Sequence, residues 1–133
     1  MLMSALPRIA YPHREHGVLV PDGYEMTEAQ LRRDVPDLDD GIVLHVALLR
    51  HEGFRTVASC EGGPDHSAPW PWVEFEGGPG EGLRALAIGI KYNLPVAVLS
   101  RRWRISCGEV MGPLWRLDFH GQHLATEQYN LPQ

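Results

Sequence analysis

The residues whose types and spacing could do chemistry are Ser59-Cys60-Glu61-Gly62-Gly63 and, six positions after the cysteine, His66. A thiol and an imidazole so close in the chain can serve as two ligands of zinc or as a nucleophile with its base. The glycines between them let the backbone turn sharply and aim its amide protons at a ligand. Glu61 puts a carboxylate beside the thiol, and Asp65 another beside the imidazole.

Three uses of this loop follow from its chemistry. In the first, Cys60 and His66 bind zinc, completed by His120, His123 or Cys107. Cys-x5-His is not a structural zinc spacing, however, and the chain has no CxxC. In the second, Cys60 is a nucleophile with His66 as base and the Gly62 and Gly63 amides as oxyanion donors. The negative charge of Glu61 opposes formation of the thiolate. In the third, the loop is a binding rim: Cys60, Glu61, Gly62, Gly63 and His66 hold a small polar or nucleotide-like ligand, walled by Trp70 and Trp72. The third reading needs no further ligand or base, and the residues favour it. The plain alternative is a buried cysteine on an ordinary glycine–proline turn, with the tryptophans covering a sheet edge.

Hydrophobic periodicity outlines the elements that must position this loop. Residues 1–37 read as an irregular N-terminal arm broken by Pro7, Pro12, Pro21 and Pro36, with a short strand at Gly17–Val20 and a turn or two of helix from Thr27, its cap, to Arg33. Asp39 reads as the cap of a well-buried helix from about Asp40 to Glu52, which Gly53 ends. Strands are expected at Phe54–Ser59 and Trp72–Glu76, flanking the loop. A second helix from about Glu81 to Tyr92 carries Leu83, Leu86, Ala87 and Ile90 as its apolar stripe. A long strand at Val96–Ser106, a turn at Cys107-Gly108-Glu109 and a strand at Leu114–Phe119 complete a single domain over 38–121, leaving 122–133 as a polar tail. The order αββαββ predicts an α+β two-layer sandwich: about four mainly antiparallel strands with two helices on one face.

Composition narrows the function classes. The 133 residues suit one domain, and 44% hydrophobic content suffices for a core without staples. A formal charge of −5 disfavours nucleic-acid binding through the overall field. The exception would be a local patch, and Arg102, Arg104 and Arg116 on the last two strands could form one. Glu74 and Glu76 on the neighbouring strand could equally absorb those arginines, with Trp103 and Trp115 packing in the core. His13 with His16 and His45 with His51 lack partner patterns and read as surface or boundary residues. No P-loop, HExxH, GxSxG or dinucleotide fingerprint occurs. Two cysteines point to reduced thiols, and the chain has neither a signal-like N-terminus nor a span of about 20 apolar residues. A cytoplasmic protein without membrane contact is the expectation, its partner a small molecule or, through the acidic surface, a host protein.

The run from Asp39 through Thr56-Val57-Ala58-Ser59-Cys60-Glu61-Gly62-Gly63, His66 and Val73-Glu74-Phe75 resembles a group of small, mostly uncharacterised phage and prophage proteins. Arg84-Ala85-Leu86, Leu94-Pro95-Val96, Trp103 and Gly112-Pro113 extend that resemblance over about residues 38–119. It implies a phage-type accessory protein and no particular activity. The Asp-led helix followed by Thr-x-x-Ser-Cys-x-Gly is also similar to the wybutosine-synthesis tRNA methyltransferase family. There Ser-Cys-Ser-Gly precedes a basic residue, whereas this chain has Glu61 and Gly63, so the likeness implies a shared strand-to-loop geometry only.

Overall fold

Four antiparallel strands form the sheet that carries the loop, in the order β3-β4-β6-β5. They are β3 (Arg55–Cys60), β4 (Trp72–Glu76), β5 (Val96–Ser106) and β6 (Glu109–Phe119). The computed structural model describes the backbone of Arg8–Ile9 and all of residues 17–120. His13, His16, His123 and the expected tail over 122–133 lie outside the described residues. With three helices beside the sheet the chain has the expected α+β class.

Strand alternation decides which face is core. Val73 and Phe75 of β4 and Leu117 and Phe119 of β6 are buried in one cluster with the helices. The pairings Glu74↔Arg116, Trp72↔Asp118 and Ser100↔Arg116 set a polar row on the opposite face. Helix α2 (Val43–His51) is buried from Val43 to Leu49, as its nearly all-apolar sequence requires. Gly53, at φ +93°, ends it in the left-handed conformation.

Several elements differ from the sequence reading. Helix α1 runs from Tyr24 to Asp34, so Thr27 lies inside it and Gly23 stands at the cap. Tyr24 and Leu31 anchor it in the main core, so the segment read as an irregular arm contributes to the packing. The short pairing expected near Gly17–Val20 is β2 (Leu19–Val20), antiparallel to β1 (Arg8–Ile9). Asp39 makes no side-chain capping hydrogen bond, and the chain enters α2 through a 3-10 turn at Asp40–Ile42. His45 is not a surface residue: it is 1% exposed, its ring edge-on to Phe119 at 4.4 Å.

Helix α3 (Pro79–Tyr92) is rotated relative to its expected stripe. Leu83 and Ile90 are 71% and 82% exposed, while Gly82, Ala85, Ile88, Gly89 and Tyr92 face the core. The cause is close approach. A Cβ on Gly82 would stand 2.6 Å from the Trp115 ring, and one on Gly89 would stand 2.8 Å from Val96. The helix lies on the sheet by its smallest residues. Strand β6 is also longer than expected, starting at Glu109, because Cys107 and Gly108 both take positive φ and close a two-residue hairpin turn.

Candidate functional site

Cys60 closes β3 opposite Trp72, at the point where the chain leaves the sheet. Its side chain packs with Ala58, Ala68 and Trp72 and is 8% exposed. The loop then returns on itself: Gly63 N–H donates to the Ala68 carbonyl at 3.2 Å, and His66 N–H donates to the Gly63 carbonyl at 3.2 Å. That reversal brings His66 Nδ1 to 3.3 Å from Cys60 Sγ. The proximity suggested by the spacing is realised.

Glycine is required where this loop folds. At φ +82°, Gly62 lies so near Trp70 that a Cβ would come within 2.4 Å of its carbonyl carbon. The Gly62 amide points back at the thiol, 3.4 Å from Sγ. Of the two amides expected to serve as oxyanion donors, then, Gly62 faces the sulfur and Gly63 is bonded to Ala68.

Two carboxylates flank the imidazole. Glu61 turns away from the thiol: Oε1 accepts from the Gly41 N–H at 2.9 Å, and Oε2 stands 3.7 Å from His66 Nε2. Gly41 makes this bond by leaving space, since a Cβ there would meet Oε1 at 2.6 Å. Asp39 approaches from the segment before α2, with Oδ2 4.0 Å from His66 Nδ1. Asp39, Cys60 and His66 thus offer an oxygen, a sulfur and a nitrogen that all lie within 4.8 Å of one another. The half-exposed Asp39 and exposed His66 open the cluster toward solvent above a buried sulfur.

The other expected site residues sit elsewhere. Asp65 is exposed on the loop. Cys107 is exposed at the β5–β6 turn and His120 follows β6; neither joins the cluster. Trp72 is 8% exposed, its ring covered by the Arg116 guanidinium at 4.2 Å and its Nε1 donating to Ser67 Oγ, so it is a packed side chain rather than an open wall. Trp70 remains 43% exposed, pinned through Nε1 to Asp118 at 2.7 Å. The arginines of the hairpin are partly absorbed as expected. Glu74, 5% exposed, pairs with Arg104 at 2.8 Å and with Arg116 at 3.7 Å. Trp115 packs at the core, but Trp103 does not: it lies in the end of the hairpin, exposed throughout from Arg101 to Gly112, and is itself 63% exposed.

Asp39 is the member that spacing did not reveal. The signal for it is Asp39-Asp40-Gly41, where a glycine follows two acidic residues at a helix entry. Among the described residues no helix is long and apolar enough to cross a membrane. Comparison with protein-family models, with curated proteins and with solved structures gives no match.

Proposed function

We propose that Asp39, Cys60 and His66 hold a zinc ion, and that the position left on it takes a small polar ligand. One observation carries this reading: two donor atoms from the loop and one from the segment before α2 converge within 4.8 Å of one another. Modest closure would bring them to zinc, whose bonds to these atom types run about 2.0–2.3 Å. Thiolate, imidazole and carboxylate together suit zinc better than magnesium or calcium, which take oxygen ligands.

The surroundings support the same reading. A ligating histidine usually turns its second nitrogen to a carboxylate, and His66 Nε2 faces Glu61, itself held by Gly41. The Gly62 amide is aimed at Cys60 Sγ and helps fix where the sulfur sits. Zinc with three protein ligands keeps an open position and supplies Lewis-acid polarisation to whatever binds there. A nucleophilic Cys60 is less well served, because the amides that would receive an oxyanion are already engaged. A phage-type accessory protein in a reducing cytosol would keep both cysteines available as thiols.

Elemental analysis of protein purified without chelator tests the proposal. About one zinc per chain is expected, lost in Cys60→Ser and in His66→Ala while both variants stay folded by circular dichroism. Zinc below about a tenth of an equivalent, both as purified and after incubation with zinc salt, would overturn it. If Cys60 in such metal-free protein alkylates faster than a free thiol, thiol chemistry takes the place of metal binding.

A further inference from the structure

The polar face of the sheet, away from α2 and α3, carries a second site independent of the zinc cluster. Strand register places Trp72, Glu74, Arg116, Asp118, Ser100 and Arg102 on this face. The loop bearing Ala68 and Trp70 covers only part of it. A cleft of about 490 Å³ remains, with Trp70 and Trp103 on its walls and Glu74, Arg104 and Arg116 among its lining. A second hollow of about 500 Å³ shares Trp70, Arg102 and Asp118 with the first and continues along β5 past Val98. The two form one trough across the sheet, each part within the size range of small-ligand sites.

Its charges are arranged unevenly. Glu74 is taken by Arg104 and Arg116, and Asp118 by Arg116 at 3.1 Å and by the Trp70 indole. Arg102 lines both hollows, and no ion pair within the described residues engages it. The trough therefore holds one guanidinium in excess of its carboxylates, on a protein whose net charge is −5. Beside that cation stand two indoles, Trp70 and Trp103, 43% and 63% exposed. Exposed indole faces take flat aromatic rings, and a free guanidinium takes one anion, best a phosphate that it can bind through two N–H groups.

We infer that this trough binds a nucleobase carrying a phosphate, stacked against Trp70 or Trp103 with its phosphate on Arg102. The unit could come from a free mononucleotide or from a single strand, and the chemistry of recognition is shared. Local cation and indole placement outweighs the overall negative charge because screening confines that field to about 8–10 Å.

Quenching of tryptophan fluorescence on titration tests the inference with adenosine 5′-monophosphate, adenosine, inorganic phosphate and an oligothymidylate of about ten nucleotides. The monophosphate or the oligonucleotide should quench and saturate, with adenosine and phosphate at least about tenfold weaker. Trp103→Ala and Arg102→Ala should each weaken binding about tenfold, with Arg102→Lys between them and the parent. Val110→Ala, exposed on the same hairpin but outside the trough, should leave it unchanged. An oligonucleotide far tighter than the monophosphate identifies a strand as the source, losing affinity with salt at a logarithmic slope of about −0.7 per phosphate held. Equal affinities identify the free nucleotide. Absence of saturable quenching by both, or a loss in Val110→Ala as large as in Trp103→Ala, would overturn the inference.

Discussion

Gly62, Gly41 and Glu61 separate what the loop needs to fold from what the cluster needs to bind. Gly62→Ala forces a Cβ to within 2.4 Å of the Trp70 backbone at a φ of +82°. It should lower the melting temperature by several degrees, a cost of about 1–3 kcal/mol, and reduce zinc content with it. Glu61→Gln changes no volume and keeps an oxygen for the Gly41 amide, yet removes the charge facing His66 Nε2. Its expected effect is a zinc affinity about 10–100-fold weaker at an unchanged melting temperature of the metal-free protein, measured by competition with a chromophoric chelator. Equal affinity in the parent and the variant would mean that Glu61 has no part in orienting the imidazole. The Cys60–His66 partnership was legible in the sequence because one short loop carries both residues and its glycines permit reversal. Asp39 was not, since its approach depends on how the segment before α2 packs against β3. An aspartate before an apolar helix has a ready local explanation as a cap, and that explanation hides a tertiary role.

At the scale of elements, α3 shows where periodicity misleads. Leu83, Leu86, Ala87 and Ile90 repeat correctly, yet two of the four are among the most exposed apolar residues of the protein. Periodicity measures where hydrophobic atoms recur and is blind to a face chosen because it is flat. Gly82 and Gly89 define that face, since the Trp115 ring and Val96 occupy the space of their missing side chains. Gly82→Ala should therefore destabilise by about 1–3 kcal/mol through overpacking, despite a helix-propensity gain of about 1 kcal/mol. Ile90→Gln should stay within about 0.5 kcal/mol of the parent in urea unfolding. The reverse ranking would place α3 on the sheet by its apolar stripe instead. Strands β3, β4 and β5 were legible almost to the residue because β4 alternates cleanly and the hairpin turn has its glycine, whereas β6 starts at Glu109, well before the expected Leu114. The exposure of Trp103 was not, because alternation assigns a side chain to a face and is silent on how far the core reaches along a long hairpin.

The helix layer is tied together as a unit at one end, and this tie gives the whole molecule a pH dependence. Tyr92, the last residue of α3 and 1% exposed, donates its hydroxyl to Glu52, just beyond α2. Lys91 stands 3.6 Å from the same carboxylate. Arg84 donates to the Glu52 carbonyl at 2.9 Å and lies over the Phe54 ring, whose edge meets Phe75 of the sheet. Burial raises the phenol's pKa above its ordinary value of 10.0, and the bond to the Glu52 carboxylate and its negative charge push the same way. A group whose folded pKa is raised contributes stability that is complete below its unfolded value and is lost as pH climbs above it. The parent should thus hold its melting temperature up to about pH 10 and then fall, since unfolding releases the phenol to ionise. Tyr92→Phe lacks that proton. It should be less stable than the parent at neutral pH by about 0.5–1.5 kcal/mol, and the gap should narrow as pH rises beyond 10. Thermal melts of both proteins across that interval give the comparison directly. A gap that stays constant or widens would mean that the hydroxyl leaves the carboxylate in solution, and that α2 and α3 are held together by packing alone.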